Sequence, residues 1–149
     1  MTLSSILTPE NVVFLEAGLN REETVRRLAE RIQPQVAGLV TPKALTARLA
    51  EAEKLNQVLE SGFFIPHAKF PELCGFHAVL GISKDGFKDP STGLIVKVSL
   101  LLLSPHKPAY FQKHLNMLSM LSQTFQPALV DKLAALTDAA QACALLKGK

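Results

Sequence analysis

Ile95-Val96-Lys97-Val98-Ser99-Leu100-Leu101-Leu102-Leu103-Ser104-Pro105 is the most apolar stretch of the chain. Leu100 to Leu103 with its flanks is too short to cross a bilayer. Residues 95–103 instead read as a strand that is apolar on both faces, which is the mark of a central position in a sheet covered on both sides. Pro105 and Pro108 end it, since proline lacks the N–H that a ladder needs. Upstream, Ser83 to Gly93 contains Asp85-Gly86 and Asp89-Pro90 and is expected to be a turn-rich loop, with a further strand at His77 to Ile82. Phe63 to Ile65 is a short apolar run stopped by Pro66. Downstream, Phe111, His114, Leu115, Leu118, Leu121 and Phe125 repeat at helical spacing and predict a helix over 109–125 with that stripe inward. Two shorter helices follow at Ala128 to Leu136 and, capped by Thr137 or Asp138, at Ala139 to Leu146.

The N-terminal third supplies the other cover. Asn11 to Ala17 favours a strand, ended by Gly18. Asn20 with Glu23 three residues later is a capping box, and Val25, Leu28, Ala29 and Ile32 continue at helical spacing until Pro34. Thr41-Pro42 is a cap followed by a first-turn proline, predicting a helix with Leu45, Leu49 and Ala52 inward that ends before Gly62. Helices interleaved with strands indicate an α/β fold with a mixed central sheet covered by helices. At 149 residues the expectation is one domain, residues 1–149.

Composition excludes several function classes. The chain is 48% hydrophobic and 19% charged, with a formal net charge of +3, so disorder and a dense basic field are both excluded. Residues 1–60 are slightly acidic and the remainder basic, which suits one small anion better than a nucleic-acid backbone. Cys74 and Cys143 show no metal or disulfide spacing and are expected to be small buried hydrophobes of a reduced compartment. The start of the chain lacks a basic segment followed by an apolar run, so a cytoplasmic location without membrane insertion is expected. No Gly-x-Gly-x-x-Gly or Walker-type loop is present, and no cofactor is expected.

The four histidines are the side chains whose ordinary pKa lies near neutrality. His77, inside a strand, and His106, between two prolines, read as satisfied or solvated rings. His67 follows Phe63-Phe64-Ile65-Pro66 where a strand should give out, and strand ends of α/β sheets collect sites; a structural and a functional role are both open. His114 lies on an apolar stripe, where its ring needs a partner or a cavity; alone it reads as a core histidine bonded to a carbonyl. Two histidines in one cleft could bind a metal, but no Asp, Glu or Cys stands at ligand spacing near either, so no metal is expected.

Ser61-Gly62-Phe63-Phe64-Ile65-Pro66-His67-Ala68-Lys69 resembles the Gly-x-x-x-Pro-His motif of the fructose/mannitol type EIIA domains of the bacterial sugar phosphotransferase system, including the nitrogen-regulatory members. Val98 to Pro105 is similar to that family's strand ending in proline, and His114-Leu115 with Leu118 to its His-Leu-x-x-Leu helix. The resemblance implies a phosphocarrier. The histidine matching His67 would accept a phosphoryl group from HPr and pass it to a cysteine of an EIIB domain or hold it as a regulatory mark, with His114 beside it. A neutral imidazole is a competent nucleophile near pH 7, and phosphoryl transfer asks mainly for in-line positioning and charge stabilisation. The basic bias of the second half, with Lys69, Lys107 and Lys113, is in keeping with a dianion.

The chain departs from the family where an Arg-Glu pair and a Thr-Gly-x-Gly turn are usual; Glu51-Ala52 and Gln57-Val58-Leu59-Glu60 stand there. Arg48 could replace the guanidinium or be a solvated helix charge, and Glu60 would oppose phosphorylation unless it points away. Beside the phosphocarrier stands an alternative of another class, a divergent regulatory module that binds a transporter or kinase with weak phosphorylation or none.

Overall fold

The computed structural model describes residues 2–53 and 58–149. Strand β1 (Val12–Phe14), helix α1 (Arg21–Ile32) and helix α2 (Pro42–Glu53) are followed by β2 (Phe63–Phe64), β3 (His67–Phe70), β4 (His77–Lys88) and β5 (Ile95–Pro105). Helices α3 (Pro108–Thr124), α4 (Pro127–Ala134) and α5 (Ala139–Leu146) complete the order. Gln57 of the divergent loop lies outside the described residues.

β5 is central, as its sequence predicts. β4 runs antiparallel along one side of it, and β2 and β3 lie parallel to it on the other. β1 joins the outer edge of β4 in parallel, so the sheet is mixed. The doubly apolar pattern has a direct cause. Leu100 and Leu102 pack with Phe63, Met117, Leu121 and Phe125 on the side of α3, α4 and α5, whereas Leu101 and Leu103 pack with Leu28, Leu45 and Phe64 on the side of α1 and α2. Burying both faces makes alternate polar residues impossible in the middle of the strand.

Pro66 splits what would otherwise be one edge strand. It has no N–H to give, and only its carbonyl joins the ladder, accepting from Leu102 N at 3.0 Å. The sequence reading put a strand end at His67; the structure starts β3 there, because pairing with β5 resumes at His67 opposite Leu102. Just upstream, Gly62 adopts φ +81°, and a Cβ at this position would lie 2.8 Å from Ile95 O. Gly62→Ala should therefore destabilise the protein by about 1–3 kcal/mol, read as a lower urea midpoint; an unchanged midpoint would contradict this.

Helix α1 carries the expected capping box: Glu23 N donates to Asn20 Oδ1 and Asn20 N to the Glu23 carboxylate. The loop expected over 83–93 is mostly strand. β4 continues to Lys88 with an irregular register between Ile82 and Phe87, and the reversal is confined to Asp89–Leu94, where Asp89 N donates to Leu94 O at 2.8 Å. The Asp85-Gly86 signal marks a bulge rather than a turn, since Gly86 takes a positive φ within a long paired hairpin. β1 is shorter than expected because its pairing with β4 spans only three residues.

Helix α3 forms, but its inward face is shifted. His114, Met117 and Leu121 are buried, while Phe111 and Leu115 are 40% and 58% exposed. These two lie roughly 80° and 120° round the helix from Leu121, on the flank of the buried stripe. An apolar arc wider than the sheet can cover leaves its edge in water, and periodicity cannot say which edge.

Candidate functional site

β3 alternates its side chains across the sheet. Ala68 and Phe70 join the core under α1 and α2, so His67 and Lys69 project towards α3. Pro66 holds the chain so that His67 Nδ1 reaches back to Ile65 O at 2.7 Å. A carbonyl can only accept, so Nδ1 carries the proton and the lone pair of the neutral ring lies on Nε2.

His114 enters from α3. It is 3% exposed, and its Nδ1 stands 2.6 Å from Ser104 Oγ, a fully buried hydroxyl near the end of β5. The centroids of the His67 and His114 rings are 5.5 Å apart with the planes inclined by 47°. The two histidines singled out in the sequence therefore meet, one on a strand and one on a helix.

Burial, and then the positive charges of His67 and Lys69, push His114 from 6.5 down to about 4. The ring is neutral at pH 7. Because its folded value lies below its unfolded one, the unfolded chain takes the proton first. Stability should fall as pH drops from 6.5 towards 4 and level off below. Between pH 7 and pH 5 this residue should account for a loss of about 2 kcal/mol, a part of the pH slope that His114→Gln removes. Urea titrations at the two pH values measure it; equal slopes in wild type and variant would refute it. His77, which bonds Gln35 Oε1 through Nδ1 at 3.2 Å, is also pushed down by burial and contributes equally to both proteins.

Among the described residues, Lys69 is a cation that acts on His114. Its Nζ lies 5.1 Å from the centroid of the Phe111 ring, a cation–π distance. Arg48 does not fill the place of the family's arginine. It forks onto Glu72 at 3.1 and 3.3 Å, with its guanidinium 4.9 Å from the centroid of the Phe70 ring. The pair lies at the surface, with the two side chains 38% and 39% exposed, in keeping with a solvated helix charge. Glu60 is exposed in the turn before Gly62, and the charges acting on His114 are those of His67 and Lys69.

Cys74 corrects another expectation. It is exposed rather than buried, in the turn between β3 and β4, with Lys107 Nζ 3.8 Å from its Sγ. Cys143 is half-buried, and burial pushes its thiol up. His106 is exposed with its ring 5.6 Å from that of Phe111. The sequence reading missed Ser104, which it took only as the tail of a strand. The available signal was a hydroxyl in a strand otherwise apolar from Leu100 onward. It also missed the cluster in which Arg21 bonds Glu53 and, at 2.9 Å, Asp89; its members are scattered along the chain, so no local pattern joins them.

Three comparisons bear on this arrangement. A search of the curated proteins finds no match. Among solved structures, the nitrogen regulatory protein IIA-Ntr of Neisseria meningitidis superposes with a TM-score of 0.82 at 21% identity, covering 97% of this chain and 99% of that one. IIA mannitol of Escherichia coli gives 0.74 at 17%, covering 94% and 98%. The E. coli complex of enzyme IIAMTL with phosphorylated enzyme IIBMTL gives 0.75 at 18%, covering 96% and 98%. These likenesses establish the fold. The model of the family described as phosphoenolpyruvate-dependent sugar phosphotransferase system, EIIA 2, matches residues 5–149. With nearly the whole chain matched, this protein belongs to the EIIA 2 family of the phosphoenolpyruvate-dependent sugar phosphotransferase system.

Proposed function

We propose that residues 1–149 act as one cytoplasmic phosphotransfer domain in which His67 accepts a phosphoryl group from HPr. It then passes the group to an EIIB cysteine or holds it as a regulatory mark. The observation that carries this reading is the 2.7 Å bond from His67 Nδ1 to Ile65 O, which keeps the proton on Nδ1 and makes Nε2 the nucleophilic nitrogen, with a second, neutral imidazole 5.5 Å away between ring centroids.

The Nε2 lone pair attacks phosphorus in line with the donor's N–P bond. The new N–P bond forms as the old one breaks, its electron pair returning to the donor imidazole. Nδ1 keeps its proton, and the Ile65 carbonyl stabilises the positive charge that the ring gains. In onward transfer a cysteine thiolate attacks phosphorus, an S–P bond forms and the N–P pair returns to Nε2. With Ser104 Oγ–H donating to His114 Nδ1, the neutral His114 ring bears its proton on Nε2 and offers it to a phosphoryl oxygen. Lys69 supplies the positive charge. The E. coli IIAMTL complex with phosphorylated IIBMTL supports an EIIB-type acceptor.

The test incubates the protein with phosphoenolpyruvate, enzyme I and HPr and follows its intact mass. The expected result is a gain of one phosphoryl group that acid removes; no gain would overturn the reading. A regulatory module that binds a transporter or kinase is favoured by one observation, that Lys69, a charge acting on His114, is an ammonium and not a guanidinium fork. Labelling far below one group per chain would select that second reading.

A further inference from the structure

Ser104 is a hydroxyl on a face of β5 that is otherwise apolar. Val98, Leu100 and Leu102, which share that face, lie in the core under α3, α4 and α5, and Ser104 is itself fully buried. An alanine would fill such a place without cost, whereas a buried hydroxyl costs free energy unless it is bonded. Among the described residues its partner is His114 Nδ1, 2.6 Å away. An unused donor is rarer in a protein interior than a spare lone pair, so the Ser104 O–H is spent on that nitrogen.

Its place in the sheet gives the bond a second consequence. Ser104 is paired in register with Lys69 of β3, as Leu102 is with His67. The hydroxyl therefore ties a ring borne by α3 to the strand pair that carries both His67 and Lys69. The χ2 torsion of histidine is broad, so a ring on a helix has no fixed plane of its own. Holding Nδ1 restricts that rotation, and because the imidazole is rigid, the direction of Nε2–H is set with it. The ring so held has its centroid 5.5 Å from that of His67.

We propose that Ser104 is a positioning residue: its hydroxyl locks the His114 ring in one tautomer and one orientation, and through that ring alone it speeds phosphoryl transfer at His67. The clause on transfer rests on the phosphocarrier reading; the lock on the ring does not. A hydroxyl that merely filled its site would act on stability, and its loss would slow transfer equally whether or not residue 114 were histidine.

Two measurements test this. In protein with 15N-labelled histidine at pH 7, where the His114 ring is neutral, its nitrogens should appear as a protonated Nε2 and an unprotonated, hydrogen-bonded Nδ1. Ser104→Ala should move the Nδ1 signal to the position of an unbonded nitrogen. A proton on Nδ1, or an Nδ1 signal that Ser104→Ala leaves in place, would overturn the lock. The second measurement compares initial rates of labelling by phosphoenolpyruvate, enzyme I and HPr. Ser104→Ala should slow labelling by about tenfold, and the double variant with His114→Gln should be no slower than His114→Gln alone. A wild-type rate in Ser104→Ala, or a double variant about tenfold slower than His114→Gln, would overturn the positioning role while leaving the phosphocarrier reading intact. A wild-type protein that takes no label would overturn that reading and the clause on transfer together, with the lock on the ring still decided by the nitrogen shifts.

Discussion

His67→Ala should abolish labelling by phosphoenolpyruvate, enzyme I and HPr, leaving the intact mass at the value of the unmodified chain. The expectation follows from the division of labour between the two rings. His67 is the partly exposed one, its proton held on Nδ1 by Ile65 O, so that Nε2 is the nitrogen with a lone pair to give. His114 cannot take over, since it is buried and its Nδ1 is engaged by Ser104. His114→Gln should behave differently. Removing one preorganised donor to a phosphoryl oxygen slows transfer by about a hundredfold while the label still goes to His67. The fold should survive His67→Ala, because one hydrogen bond to a carbonyl is worth about 1 kcal/mol. Label persisting at full stoichiometry in His67→Ala would overturn the site assignment.

The largest stability effect is expected away from the site, at Arg21. Its guanidinium bonds Glu53 and Asp89 and lies 4.6 Å from the centroid of the Phe64 ring. Asp89 is 1% exposed; burial pushes its carboxyl up, but bonds from Thr92 and Arg21 outweigh this and hold it below the ordinary value. Glu53 goes the other way, pushed up chiefly by burial against the pull of Arg21. Arg21→Ala would leave two carboxylates without their shared cation and should cost about 3–5 kcal/mol, measured by urea unfolding at pH 7. Arg21→Lys should recover only part, since an ammonium cannot fork between two carboxylates. A loss under about 1 kcal/mol would make the cluster no stronger than a surface ion pair.

The helices and the central strand were legible because the forces that shape them act between near neighbours. A capping box needs Asn20 and Glu23, a first turn needs Thr41-Pro42, and a strand buried on both faces needs an unbroken run such as Leu100 to Leu103. The candidate site was half legible in the same way. The Pro66-His67 step is a local constraint, and it singles out the imidazole whose ring centroid lies 5.5 Å from that of His114. Everything that depended on one element meeting another was out of reach. The register that sets His67 opposite Leu102, the rotation of α3 that buries His114 and exposes Phe111, and the hydroxyl of Ser104 under the imidazole are set by how the sheet and helix fill the space between them. The reason is packing. A periodic pattern tells how wide an apolar arc is, whereas the contacts that cover it come from residues far away in the chain.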